Sequence, residues 1–180
     1  MEVIPLPIEG VLLVKPQIFG DARGWFYETY NEERYRQAGI TETFVQDNQS
    51  FSQKNVVRGL HFQKPPHTQA KLVSVIQGAV LDVAVDLRAG SPTYGKYVSA
   101  LLTGENHHQL FVPKGFAHGF SVLADHTIFA YKCSNLYNKA SEGSIIYNDP
   151  DINVEWGVEH PILSEKDTTG PTLKEFVTPF

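Results

Sequence analysis

Cysteine is nearly missing from this sequence: among 180 residues only Cys133 carries a thiol, so no disulfide can close within the chain and no paired-cysteine metal site exists. A reducing compartment suits such a chain. Long hydrophobic runs are missing too. The apolar start, MEVIPLPIEGVLLVKPQIFG, is interrupted by Pro5, Pro7, Glu9, Gly10 and Lys15, which fits neither a signal peptide nor a membrane span. Nor is there an excess of positive charge. With 15 Lys and Arg against 20 Asp and Glu, the net charge of -5 speaks against broad contact with a nucleic-acid backbone, although a small anion needs only a few placed cations. The expectation is a soluble cytoplasmic protein with neither nucleic acid nor membrane as partner. No repeat, low-complexity linker or shift of composition divides the chain, so residues 1–180 read as one domain.

Short β-branched and aromatic runs are abundant, punctuated by Gly, Pro and Asn, and they favour strands over helices. The clearest is KLVSVIQGAVLDVAVDLR. Leu81, Val83, Val85 and Leu87 fall on one face and Asp82, Asp86 and Arg88 on the other, the pattern of a half-buried strand, with Gln77-Gly78 as the turn before it. One short helix is expected, capped by Asn31, with Glu32 and Glu33 at its positive end and Gly39 to stop it. HHQLFVPKGFAHGFSVL, HTIFAYKCSNLY and GSIIYND read as further strands. From Asn148 onward the chain reads as a loop-rich wrap anchored by Trp156, Ile162 and Leu163. Many short strands predict a β-sandwich, jelly roll or small barrel.

Chemistry enters at VRGLHFQ, which sets Arg58 and His61 inside an apolar run, and at PKGFAHGF, where Pro113, Gly115 and His118 form P-x-G-x-x-H. The second stretch resembles a motif of cupins, small barrels that often hold a metal. The first cupin motif is missing, because His61 is followed by Phe62 and Gln63, and His67 by Thr68 and Gln69. A metal site built from His61, His67 and His118 lacks its usual spacing and carboxylate, and a metal-free reading is preferred. His107 and His108, read as adjacent strand residues, face opposite sides and are assigned no function.

Longer stretches carry a more specific resemblance. FVQDNQSFSQKNVVRGLHFQ, QAKLVSVIQGAVLDVAVDLRAGSPTYGKY, NHHQLFVPKGFAHGFSVL, YKCSNLYNKASEGSIIYND and LSEKD, in that order from about Phe19 to Asp167, resemble the dTDP-4-dehydrorhamnose 3,5-epimerase family. The resemblance implies an all-β, cupin-type jelly-roll barrel with a few short helices. It also implies a homodimer, no metal or other cofactor, and a dTDP-4-keto-6-deoxy sugar as substrate. The implied reaction inverts carbons 3 and 5 of dTDP-4-dehydro-6-deoxy-D-glucose to give dTDP-4-dehydro-L-rhamnose, in dTDP-L-rhamnose biosynthesis. The alternatives are a relative acting at one carbon only, a metal-dependent cupin, and a sugar-nucleotide binding protein without catalysis.

Both carbons flank the C4 carbonyl, so the reaction needs a base, a group that steadies the enolate, and an acid on the opposite face. By resemblance His61 is the base, Tyr131 the acid and Lys71 the group near the carbonyl. Asp167 is the carboxylate that orients His61, with Asp82 as the competitor for that task. Arg58 and Arg23 match diphosphate positions, where a guanidinium fork fits phosphate oxygens. Glu28, Gln46 and Asn48 match nucleotide-binding positions and Tyr137 the thymine-stacking one, while Gln63, His118, Glu142 and Lys166 match further binding positions. The N-terminal segment, about 1–45, is expected to contribute to the dimer, so that Phe19, Arg23 and Glu28 serve the neighbouring subunit's site. Three positions depart from the family pattern: Asn55 stands where Gly is usual, Tyr147 where Trp is usual, and Gly157 where Pro is common. Asn55 suits a left-handed turn nearly as well as Gly.

Overall fold

Short strands carry the architecture in the computed structural model, which describes residues 1–180. In chain order they are β1 (Glu2–Pro5), β2 (Leu12–Lys15), β3 (Phe19–Asp21), β4 (Gly24–Phe26), β5 (Gln46–Ser52), β6 (Val57–Gln63) and β7 (Lys71–Gln77). There follow β8 (Ala79–Asp86), β9 (Tyr97–Thr103), β10 (Gln109–Val112), β11 (Phe116–Val122), β12 (Thr127–Cys133) and β13 (Glu142–Ser144). The one α-helix, α1 (Glu32–Gln37), starts where expected: the Asn31 side chain accepts from the Arg34 N–H, and Gly39 turns the chain away at φ +94°.

Two sheets face each other, one in the order β1-β2-β10-β7-β12-β5 and the other β13-β6-β11-β8-β9, both antiparallel throughout. Their inner faces meet in a core that includes Val73, Val75, Leu110 and Phe129 from the first and Val80, Ala84, Phe120 and Val122 from the second. Tyr35 of α1 and Ile40 cover one end of the first sheet's outer face, against Leu72 and Phe111. The outer face of the second is covered by the C-terminal segment, whose Ile152, Trp156, Phe176 and Phe180 pack on Val83, Val85, Leu87 and Ala117. This is the two-layer β architecture expected from many short strands, in the cupin-like form that the family resemblance implies.

Several local expectations are corrected. β8 alternates as read, but it is buried on both faces. Its polar face points between the sheets, where Asp82 and Asp86 are 0% exposed and each has partners: His118 for Asp82, and Arg88, Ser91 and Thr93 for Asp86. Gly78 is the turn between two strands, as read, but the two strands belong to different sheets. It is the corner at which the chain leaves one sheet for the other, at φ +84°, and a Cβ there would lie 2.2 Å from Thr127 Oγ1. Within GSIIYND only Gly143 and Ser144 belong to β13, and Ile145 instead exchanges two irregular backbone hydrogen bonds with Leu60. Trp156 is a buried anchor and Leu163 a half-buried one. Ile162 holds by its backbone, which bonds to Asn55 and Val57, while its side chain is 55% exposed.

His107 lies before β10 rather than in a strand, with φ +53°, so the opposite-faces argument does not apply to it. Its buried ring packs at a tilt against Trp25 and Tyr27, at centroid distances of 4.4 and 4.8 Å, and so ties β4 of the β3–β4 hairpin to the body. The rest of that hairpin projects from the body. All of its strand residues are exposed, including Phe19, Trp25 and Phe26.

Candidate active site

The site begins at a close crossing of two strands. β6 and β11 run side by side with His61 opposite His118, and the register shifts between His118 and Phe120. Gly59 makes that contact possible: it sits at φ +144°, and a Cβ there would come within 2.6 Å of Gly119 Cα. Asn55, just ahead of β6, adopts φ +70°, the left-handed turn expected of it.

His61 Nε2 lies 2.7 Å from Asp167 Oδ1. Asp167 is buried in the short 3₁₀ turn Glu165–Thr168, and it also accepts the Gly59 N–H at 3.2 Å and both the N–H and hydroxyl of Ser164, at 3.2 and 2.5 Å. Burial alone would push its pKa up, but the hydrogen bonds from His61, Ser164 and Gly59 outweigh that and hold it down at about 2. The carboxylate is therefore ionised and can only accept, so Nε2 carries the proton and Nδ1 keeps a free lone pair. Asp82, the competing carboxylate, is bonded elsewhere: both of its oxygens lie 3.0 Å from His118 Nε2. Burial pushes the Asp82 carboxyl upward, against the opposing charges of His118 and Lys71.

The other wall comes from the inner face of the first sheet. Register aligns side chains of β5, β12 and β7 in rows: Ser50 with Phe129 and Val75, Asn48 with Tyr131 and Val73, and Gln46 with Cys133 and Lys71. Tyr131 and Lys71 thus stand on the sheet opposite to His61. Lys71 Nζ lies 5.8 Å over the Tyr131 ring, and the carboxylates nearby are engaged by other groups, Asp167 by His61, Asp82 by His118 and Glu142 by Lys166. Burial draws the Lys71 ammonium below its ordinary pKa and raises the Tyr131 phenol above its own.

Two adjoining cavities share His61, Lys71 and Tyr131. The outer, about 340 Å³, is bordered by Gln46, Asn48, Gln69, Tyr137, Glu142 and Lys166, and the inner, about 160 Å³, by Ser50, Arg58 and His118. Together they fall within the roughly 300–1,000 Å³ usual for small-molecule sites. At the mouth Lys166 pairs with Glu142, which also accepts from the Tyr137 hydroxyl at 3.3 Å. Arg58 is steered by Ser52, whose Oγ accepts from Nε and Nη2 at 3.3 Å.

Other predicted residues stand apart. Phe19 and Arg23 lie on the exposed hairpin, where Arg23 pairs with Asp21, and Glu28 bonds to Asn31 and Arg34, so this chain's own fold brings none of the three to its cavity. Gln63 reaches the cavity wall, but its side-chain oxygen accepts the Asn138 N–H, which ties down the loop carrying Tyr137. His61, His67 and His118 do not converge, since each is bonded to a different partner: Asp167, Ser141 and Asp82. Sequence reading passed over Ser164, Ser52, Ser50 and Gln69. The available signal was the polar alternation Gln46, Asn48, Ser50, Ser52 along β5. A second groove of about 330 Å³, on the outer face of the first sheet, is lined by Tyr27, Asp47, Ile76, Ala130 and Lys132 and contains no histidine.

Residues 5–175 match the family model described as dTDP-4-dehydrorhamnose 3,5-epimerase. The curated dTDP-4-dehydrorhamnose 3,5-epimerase of Shigella flexneri is 50% identical over 171 residues, 94% of each chain. A crystal structure of the dTDP-6-deoxy-D-glucose-3,5-epimerase of Legionella pneumophila, in complex with dTDP-4-keto-L-rhamnose, superposes with a TM-score of 0.94 at 49% identity. That match covers 98% of this chain and 94% of the other. A 3'-monoepimerase from Streptomyces bikiniensis, in complex with dTDP-quinovose, is more distant, with a TM-score of 0.88 and 36% identity over 94% of this chain and 87% of that one.

Proposed function

The chain belongs to the dTDP-4-dehydrorhamnose 3,5-epimerase family, and on that premise we propose how its cavity inverts carbons 3 and 5 of dTDP-4-dehydro-6-deoxy-D-glucose. The observation that carries the proposal is the position of His61 on one sheet and Tyr131 on the other, facing a single cavity.

His61 Nδ1 takes the proton alpha to the carbonyl, and the C–H electron pair moves to form the enolate, whose oxygen is steadied by Lys71. The imidazolium formed is stabilised by Asp167, which already holds Nε2. Tyr131 then donates its phenolic proton from the far side. The new C–H bond forms on the face opposite to the one that was broken, which is what inversion requires. Each carbon is adjacent to C4, so the same pair serves both once His61 has released its proton to solvent and the Tyr131 phenolate has taken one up. Arg58 binds the diphosphate, Gln46 and Asn48 the nucleotide, and Tyr137 the base at the mouth. Glu142, Lys166 and His118 contact the remainder of the substrate.

A second copy of the chain completes the site. Phe19, Trp25 and Phe26 project on a hairpin that this chain does not bury, 60%, 60% and 69% exposed, a patch that monomers rarely leave in water. Arg23 and Glu28 travel with this segment, and we assign them and Phe19 to the neighbouring subunit's cavity. No helix is long and apolar enough to cross a membrane. The scarcity of cysteine, with Cys133 a lone buried thiol, suits a cytoplasmic setting.

Incubating the 4-keto nucleotide sugar with the enzyme in heavy water tests the reading by mass spectrometry and NMR. Deuterium is expected at both carbons 3 and 5. His61→Ala is expected to abolish exchange, whereas Tyr131→Phe keeps measurable exchange but loses inversion. Label at one carbon alone would assign the chain to the single-carbon class, and turnover close to wild type in both variants would refute the assignment of base and acid.

A further inference from the structure

One buried side-chain oxygen in the chain finds no hydrogen-bond partner among the protein's own groups: Oγ of Ser50. Ser50 lies on β5, faces the inner cavity beside Arg58, and is flanked on the same face by residues that are already engaged. Asn48 accepts from Gln46 at 3.0 Å and donates to Cys133 Sγ at 3.6 Å, and Ser52 accepts from Arg58. Ser50 is therefore the one gap in a row of bonded polar side chains. Burying a hydroxyl without a partner is unfavourable, and removing such a group costs a fold little or nothing. A hydroxyl kept in that state at a cavity wall is explained by a ligand that supplies the missing acceptor.

We propose that Ser50 is a further substrate-binding residue whose hydroxyl donates to an oxygen of the nucleoside diphosphate held by Arg58. The place of Ser50 beside Arg58 favours this acceptor over the sugar carbonyl. Ser50 is next to Ser52, which fixes the Nε and Nη2 edge of Arg58 and leaves Nη1 for an anion, and it stands two rows from Lys71. An oxygen of the diphosphate on that free edge lies between a guanidinium and this hydroxyl. The inference rests on the reading of the cavity as a sugar-nucleotide site.

Calorimetric titration of dTDP into wild type, Ser50→Ala and Arg58→Ala tests it, together with the melting temperature of each protein without ligand. Ser50→Ala is expected to weaken dTDP binding roughly tenfold and to raise KM for the 4-keto sugar nucleotide by a similar factor. Its kcat and its melting temperature without ligand stay at or above the wild-type values. If Arg58→Ala weakens binding and Ser50→Ala does not, the role of Ser50 is overturned while the site reading stands. If neither variant weakens binding, both fall. A lower melting temperature for ligand-free Ser50→Ala would show that the hydroxyl serves the fold, and would also overturn the proposal.

Discussion

A histidine that must accept a proton near neutrality has to be uncharged at rest. Burial does most to lower the pKa of His61, and the charges of Lys166 and Lys71 act in the same direction, against the pull of Asp167. The base form therefore predominates above a midpoint that lies below the ordinary value of 6.5. On the alkaline side Lys71 loses its charge at a pH below its ordinary 10.5, while burial keeps the Tyr131 proton in place beyond 10. The expected profile of kcat/KM rises through a midpoint under 6.5 and falls through one under 10.5. A rising midpoint above 6.5 would contradict the stated environment of His61. Asp167→Asn should lower kcat on the order of a hundredfold to ten-thousandfold, because an amide no longer fixes the tautomer. At this scale the sequence was legible where a charge broke an apolar run, as Arg58 and His61 do in VRGLHFQ. The choice between Asp82 and Asp167 was not legible, since it depends on which carboxylate meets which histidine across 36 and 106 residues of chain. Ser50 was an ordinary serine until its surroundings were known.

Strand pairing decides where those side chains end up, and β6 against β11 is a case in which two backbones come close. Gly59→Ala would drive a Cβ into Gly119 and hold a non-glycine at φ +144°, so a loss of roughly 1–3 kcal/mol or more is expected. Gly39→Ala is the control: its φ is also positive, at +94°, but nothing lies within 4 Å of the added Cβ, and the cost should be limited to backbone strain of about 1–2 kcal/mol. Urea unfolding of both variants measures the difference, and epimerase activity of the folded Gly59→Ala protein reports how far His61 has moved. Equal unfolding midpoints would show that the crossing is not tight. The alternation of β8 was readable in sequence, but the burial of both its faces was not. Periodicity records which residues share a face; whether water or a second sheet covers that face is settled by pairings far along the chain. Gly78 illustrates the same limit, because a turn glycine and a corner glycine look alike in one dimension.

The β3–β4 hairpin matters at the scale of the whole molecule. Held by His107 through Trp25 and Tyr27 and otherwise bare, it is expected to bury Phe26 and the exposed part of Trp25 against a second copy. Sedimentation should give a dimer, and Trp25→Ser with Phe26→Ser should shift it toward monomer and reduce activity in proportion. A dimer of undiminished stability in that variant would place the interface elsewhere. The net charge of -5 is compatible with all of this, because the cations that matter are few and placed at the cavity rather than spread over a surface.

Asp167 follows His61 by 106 residues and belongs to the segment that wraps the outside of the second sheet. A ribosome delivers the strands of both sheets well before it delivers this carboxylate. The strands alone therefore leave the His61 imidazole without its carboxylate partner, which arrives only when the wrap docks. Cutting the chain ahead of Ser164 is expected to remove the carboxylate partner of His61 together with the Phe176 and Phe180 cover of the second sheet, so that loss of activity and loss of stability arrive together.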